Sequence, residues 1–374
     1  MVTLYDVAQR AGVSIATVSR VLHAQDRVRE NTRTRVRAAI DELGYVPDAA
    51  AQSLARNRKD IIGLVYVERD ELKPYRHDLE SMSLLFYDEV MRGVESRLRN
   101  DSWSLLITYL GEEETLGAGL RDDAPVLPRL LALSGKVDGL LIGEGVVSPQ
   151  YLARLARRLP VVVIAGDPDQ RDADVVSADN WSGTYTLVEH LVAVHGHRRL
   201  FLVDGPATSP DAEVRRRAMQ AVIDAYPGTV LTGRSHGRFS ARSGEEAAQQ
   251  LLAAADTDGL LPDAIVCAND QMATGVLRWL KLAGVKVPDD VAVVGFDDIF
   301  PASLCDPPLT TVRQPIRQIG ERACERLIDR IANPGLSPRI ELLPTELVLR
   351  SSCGCPPGTA AGSQDAALDI PSER

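Results

Sequence analysis

Two groups of side chains in this 374-residue chain have the types and spacing to do chemistry. The first is Ile15, Ala16, Thr17, Ser19 and Arg20, which share the outward face of a short helix whose other face carries Val18, Val21 and Leu22. Arg20 is the only long donor on that face, and a guanidinium can bond a guanine edge bidentately, worth about 1–3 kcal/mol of discrimination. The second group follows strand ends: Asn269-Asp270-Gln271 after the apolar run 264–268, and Asp297-Asp298 after 291–296. In open α/β sheets ligands sit outside the carboxyl ends of strands, and acids and amides there suit a ligand rich in hydroxyls. Plainer roles exist for each. Asn269-Asp270 can be a helix cap with an acid at the dipole, Asp297-Asp298 solvated turn acids, and Arg215-Arg216-Arg217 a surface charge run. Cys353-Gly354-Cys355 offers two thiols, but no histidine or further cysteine stands near them in the sequence to complete a tetrahedral set. No metal and no cofactor are therefore expected.

The elements that position the first group are short. Thr3 can cap a helix with Asp6 as the capping-box acid, and Leu4, Val7, Ala8 and Ala11 line one face. Gly12 turns the chain, and Ser14 caps the next helix. Helix, tight turn, helix is the arrangement that lays a second helix in the major groove of DNA. Asn31 or Thr32 is expected to cap a third helix through about residue 43, and 45–47 reads as an extended linker. A short helix over 48–58 is too small to fold alone.

From residue 61 the texture changes to apolar strands (61–67, 104–109, 139–143, 161–165, 199–204, 264–268, 291–296) alternating with amphipathic helices (86–99, 182–195, 213–225, 243–254, 270–283, 316–331). That alternation predicts parallel α/β sheets in two lobes. Residues 68–83 form a charged insertion, and 351–374 reads as a polar, disordered tail without leucine heptads. Net charge is −10; residues 1–60 carry ten basic and seven acidic side chains, a local +3 that leaves −13 on the rest. A small basic module on an acidic body is the footprint of a protein that docks on nucleic acid by one end. No 18-residue apolar run predicts a membrane span, no signal segment opens the chain, and five unframed cysteines suit a reducing compartment, so a cytoplasmic location is expected.

The run Tyr5-Asp6-Val7-Ala8, Ala11-Gly12-Val13-Ser14 and Ala16-Thr17-Val18-Ser19-Arg20-Val21-Leu22 resembles the headpiece of the LacI/GalR family of transcriptional repressors, and the resemblance continues along almost the whole chain. It implies an all-α helix-turn-helix headpiece with a hinge helix (1–60) followed by an α/β two-lobed sensor like the periplasmic binding proteins (61–350). The N-lobe would be about 61–177 and 314–343, the C-lobe about 178–313 and 344–350. The residues expected to meet DNA are Thr3, Tyr5, Ser14, Ile15, Ala16, Thr17, Ser19, Arg20, Asn31 and Arg33, with Ala51, Leu54 and Arg56 from the hinge. Leu54 falls at the family's apolar wedge, which pries open a central base step from the minor groove. The effector set is Phe86, Asp167, Arg216, Phe239, Asn269, Asp297 and Gln314. Arg216 aligns with the family's ligand-gripping arginine and Phe239 with its ring against the sugar face. Sugar-binding relatives often have an acid directly after the strand 160–164; here Ala165-Gly166 intervene before Asp167.

The implied partners are a roughly palindromic double-stranded operator with a central CG step, a sugar-like effector and a second copy of the chain, with no membrane. The implied role is ligand-controlled repression of carbohydrate genes. A nucleobase or nucleoside effector is the alternative within that role. An enzyme of sugar metabolism using Asp297-Asp298 is the alternative outside it, but no partner acid, nucleophile elbow or phosphate-cradling glycine loop accompanies them. A free solute-binding protein is at odds with the headpiece.

Overall fold

The computed structural model describes residues 2–22, 28–46, 58–68, 85–99, 101–111, 126–166, 169, 171–258 and 260–356. Residues 48–57 of the expected hinge helix, 69–83 of the insertion, Asp167 and 357–374 of the expected tail lie outside them. Two compact units, 1–60 and 61–374, are described each by itself.

In the first unit α1 (Leu4–Ala11) opens with a reciprocal capping box, Thr3 N donating to Asp6 Oδ2 at 2.8 Å and Asp6 N to Thr3 Oγ1 at 3.4 Å. It closes on Gly12 at φ 64°, a left-handed turn that a side chain would strain. Helix α2 (Ile15–Leu22) begins with Thr17 N donating to Ser14 Oγ at 3.2 Å. Helix α3 (Glu30–Leu43) starts earlier than the sequence suggested: Arg29 holds the cap position without a side-chain bond, so Asn31 lies in the first turn and caps nothing. Glu30 at the start supplies negative charge to the helix dipole instead. Val7, Ala8, Ala11, Val18, Val21, Val36 and Ala39 close the core, and Tyr45, read as linker, is buried among them.

The second unit runs β1 (Ile61–Glu68), α4 (Leu85–Leu98), β2 (Ser104–Gly111), α5 (Val126–Ser134), β3 (Gly139–Gly143), α6 (Pro149–Ala156), β4 (Val161–Ile164), β5 (Asp174–Ala178), α7 (Asn180–Glu189), a π-helical turn (His190–Val194), β6 (Arg199–Asp204), α8 (Pro210–Ala225), β7 (Val230–His236), α9 (Ala241–Asp258), β8 (Ala264–Cys267), α10 (Asp270–Leu282), β9 (Ala292–Val294), β10 (Thr311–Arg313), α11 (Ile316–Ala332), β11 (Ile340–Leu343) and β12 (Glu346–Val348). A parallel sheet ordered β11-β5-β4-β3-β1-β2 forms one lobe, and β7-β6-β8-β9, also parallel, forms the other. Central strands such as Val161–Ile164 are buried throughout, as helices on both faces require. The chain passes between lobes after β5, after β10 and between β11 and β12, where β10 and β12 pair antiparallel. No helix among the described residues is long and apolar enough to cross a membrane.

Two expectations need correction. The helix expected over 182–195 is α-helical only to Glu189 and then widens into the π turn. Residues 351–356 are not part of a loose tail. Ser351–Cys353 form a 3-10 turn, and the Ser352 hydroxyl donates to Val293 O at 2.6 Å and accepts from Thr310 N at 2.8 Å. Ser352, Cys353 and Cys355 are buried against the C-lobe. The polar composition misled because these side chains bond the sheet's end rather than water.

Candidate ligand cleft and DNA-facing helix

The crevice between the lobes has an empty volume of about 690 Å³ and is built almost wholly from strand ends. Val67 lies one residue from the end of β1, Glu144 follows β3 and Ala165 follows β4. From the other lobe Asp211 and Arg215 come from the helix after β6, Arg238 and Phe239 from after β7, Asn269 and Gln271 from after β8, and Asp297 from after β9. Gln314 arrives from the crossing after β10, and Phe86 and Tyr87 from α4.

Arg215 is the hub of the polar wall and is 6% exposed. Its Nε donates to Asn180 Oδ1 at 2.8 Å and its Nη1 to Ala268 O at 2.5 Å. Asp211 and Asp297 each stand 3.7 Å from the guanidinium, whose plane covers the Phe296 ring at 3.8 Å. Asp211 also accepts from Asn180 Nδ2 at 2.9 Å, and Asp297 from Gln314 Nε2 at 2.5 Å. Burial pushes the Asp297 carboxyl up to about 7 and Asp211 up to about 6, against the pull of Arg215 and these bonds. Asp270 beneath them is raised well above the usual range by burial and by Asp297. The facing wall is aromatic: Phe86 and Tyr87 are only partly buried, and Tyr87 stacks on Tyr66 with centroids 4.6 Å apart. Charged and amide groups opposite rings can hold a ligand with hydroxyls on its edge and C–H groups on its face.

The structure brings Phe86, Phe239, Asn269, Asp297 and Gln314 to this cleft and leaves Arg216 out of it. Arg216 pairs with Glu213 and reaches Asp204 at 3.7 Å, with 36% of its side chain exposed. One residue along α8 is about 100° of rotation, enough to turn Arg216 from the cleft while Arg215 enters it. The signal was in the spacing: Asp211, Arg215, Ala218 and Val222 recur on the helix's buried face. Asn269 combines both readings offered for it, since its Oδ1 accepts from Met272 N at 3.0 Å as a cap while the side chain lines the cleft. Gln271 lines the cleft as its place after the strand 264–268 suggested, whereas Tyr87, Glu144, Asp211, Arg215 and Arg238 were missed; the strand-end rule applied after 139–143 would have found Glu144, whose carboxylate accepts from Ser209 Oγ at 2.9 Å across the lobes.

In the headpiece Ile15, Ala16 and Arg20 are exposed, Ile15 at 47%, as is Tyr5 at 65%. Thr3 and Asn31 are also exposed, and Thr17 and Ser19 are half-buried. Ser14 and Thr17 are tied by their hydroxyls at 2.9 Å. Arg33 pairs with Glu30 at 3.5 Å, whereas Arg20, Arg35 and Arg37 make no ion pair with the described residues. An apolar side chain and uncommitted cations on one small helical unit match what base edges and phosphates ask for. Ala51, Leu54 and Arg56 lie outside the described residues.

Comparison with known proteins bears on both sites. The model of the lacI family of bacterial regulatory proteins matches residues 3–48, and that of the periplasmic binding protein-like domain matches 188–353. The transcriptional repressor PurR of Photobacterium profundum is 32% identical over 356 residues, spanning 94% of this chain and 98% of its own. The ribose operon repressor of Escherichia coli is 32% identical over 349 residues, spanning 92% and 98%. Among solved structures, the lac repressor dimer bound to operator and an anti-inducer superposes with TM-score 0.79 at 29% identity, covering 94% of this chain and 99% of that one. The regulator CelR in complex with cellobiose gives TM-score 0.65 at 30% identity, covering 94% and 100%. The relatives are repressors rather than enzymes, and with helix-turn-helix and two-lobed sensor both present, this chain belongs to the LacI family of DNA-binding transcriptional regulators.

Proposed function

We propose that this repressor acts as a homodimer on a roughly palindromic operator with a central CG step, and that a sugar-class ligand in the cleft sets its affinity for that operator. The observation that carries the ligand class is the Arg215 hub: Asp211, Asp297, Asn180 and Gln314 hold donors and acceptors at fixed places opposite the rings of Phe86 and Tyr87. Vicinal hydroxyls fit such pairs of acids and amides, and pyranose C–H groups fit the rings. Closure of the lobes on the ligand is the means of control, and it requires unequal ligand affinity in the DNA-bound and free states.

Thermal unfolding of the full chain across a panel of sugars, nucleobases and nucleosides tests the ligand class, because a binder raises stability by mass action. A sugar should raise Tm, and titration of labelled operator with that sugar should shift the operator affinity. Coupling is reciprocal, so a tenfold weaker grip on DNA implies a tenfold weaker grip of the DNA-bound protein on the sugar, about 1.4 kcal/mol. A panel in which nucleobases alone stabilise would overturn the sugar assignment, and a stabilising ligand without effect on operator binding would overturn the coupling.

A further inference from the structure

Away from the cleft, the folded C-terminal segment lies on the π turn, and four side chains with metal-binding atoms meet there. His190, His195, Cys353 and Cys355 each present one ligand atom, all within 4.8 Å of one another. The thiol pair Cys353-Gly354-Cys355 lacked further ligands nearby in the sequence because the histidines stand over 150 residues away.

Each local conformation serves the convergence. In an α-helix side chains five apart diverge by about 140°. The π turn over His190–Val194 widens the helix by one residue, bringing the Nε2 atoms of His190 and His195 to 3.1 Å. On the other side Gly354, at φ 100°, turns the chain out of the 3-10 turn Ser351–Cys353, and both thiols meet the imidazoles on either side of it. A Cβ on Gly354 would also reach His195 Nδ1 at 3.4 Å. Cys355 Sγ lies 3.4 Å from both Nε2 atoms, and Cys353 Sγ lies 3.9 Å from that of His190. A regular tetrahedron around Zn²⁺, with Zn–S about 2.3 Å and Zn–N about 2.05 Å, has N···N edges of about 3.3 Å and N···S edges of about 3.6 Å. Four of the six edges agree with these to within a few tenths of an ångström, and the longest separation, 4.8 Å, shortens by about 1 Å when the ion draws the ligands in. Both sulfurs are buried and both imidazoles half-buried, so a bound ion would be largely shielded from water.

We propose that these four residues form a tetrahedral Cys2His2 site for one Zn²⁺ ion, a structural site that ties the C-terminal segment to the π turn. Two imidazoles and two thiolates select zinc over magnesium, calcium or manganese, which prefer oxygen ligands. Four protein ligands close the coordination sphere, leaving no position for catalysis. Binding replaces the two thiol protons, which leave to water, and no electron is transferred. The site is independent of the ligand cleft and of the effector's identity.

The test uses the full chain purified under reducing conditions. Elemental analysis should find one zinc per chain that survives dialysis. Chelator-stripped protein titrated with Co²⁺ should develop the visible bands of a tetrahedral thiolate site and a sulfur-to-cobalt charge-transfer band, saturating at one equivalent. Zinc should raise Tm, and Cys355→Ser and His195→Gln should each lose the bands while circular dichroism stays unchanged. Wild-type protein that binds no stoichiometric metal and shows no cobalt bands overturns the proposal. So does a Cys353–Cys355 disulfide found by alkylation and mass spectrometry of protein taken directly from cells. The wild-type measurements decide the matter even where a variant fails to fold.

Discussion

Arg20 stands exposed on a two-turn helix, without an ion pair among the described residues, in a unit whose core is a handful of small side chains. Arg215 is buried between two lobes' worth of chain, bonded to Asn180 and Ala268, flanked by two carboxylates and laid on Phe296. Both are arginines proposed to meet a partner, yet they are held in opposite ways. One keeps its donors for a partner that arrives with its own charge. The other already uses its donors within the protein, so a ligand must enter an existing network rather than complete an empty one. An exposed functional residue can be changed without disturbing the fold; a buried one serves the fold as well.

The largest test of that difference is Arg215→Ala. It leaves Asp211 and Asp297 buried without their cation and should cost about 3–5 kcal/mol in denaturant unfolding, along with the response to ligand. An unfolding curve unchanged from wild type would break the contrast. Arg20→Ala should leave unfolding unchanged and lower the preference for operator over random duplex by about 1–3 kcal/mol, read by competition binding. Arg216→Ala sharpens the comparison within one helix: its ion pairs are about a third exposed, so the cost should be about 0–1 kcal/mol with the ligand response intact. A lost response would return the ligand-gripping role to Arg216.

A further test of the buried side concerns pH. Burial raises Asp297 and Asp211 from the usual 3.8 to about 7 and about 6, so the folded chain holds protons that the unfolded chain has released. Their contribution to stability is therefore full below about pH 4 and declines as pH rises towards 7. Tm measured across that window should fall less steeply in Asp297→Asn than in wild type, and an identical slope would remove Asp297 as the titrating group.

The same contrast explains what could be read from the sequence. The headpiece was legible almost residue by residue, because caps, turn glycine and outward face are all local: Thr3 with Asp6, Gly12, and Ile15 to Arg20. Its errors were the start of α3, where Arg29 caps with backbone alone, and Tyr45, read as linker but buried in the core. In the sensor the alternation of strands and helices announced the two parallel sheets, but the inner strand at 174–178 and the edge strands at 230–236 and 340–343 went unread. Val230–His236 is largely exposed and polar, so it lacks the apolar run that marks a central strand. The cleft was found by its strand ends and mislaid by one residue at Arg216, where a resemblance outweighed the helical period. The thiol pair Cys353-Gly354-Cys355 was noticed but not its partners, since His190 and His195 lie over 150 residues earlier in the chain.

The hub at Arg215 also bears on how such a regulator changes its ligand over generations. Substitutions on its wall are taxed by folding, because the same bonds secure the lobe. Phe86 and Tyr87 across the cleft are only partly buried and can be exchanged for other shapes at lower cost. Variation that retunes the ligand, in a natural lineage or a selected library, should therefore accumulate on the aromatic side, while the arginine side passes unchanged from parent to descendant.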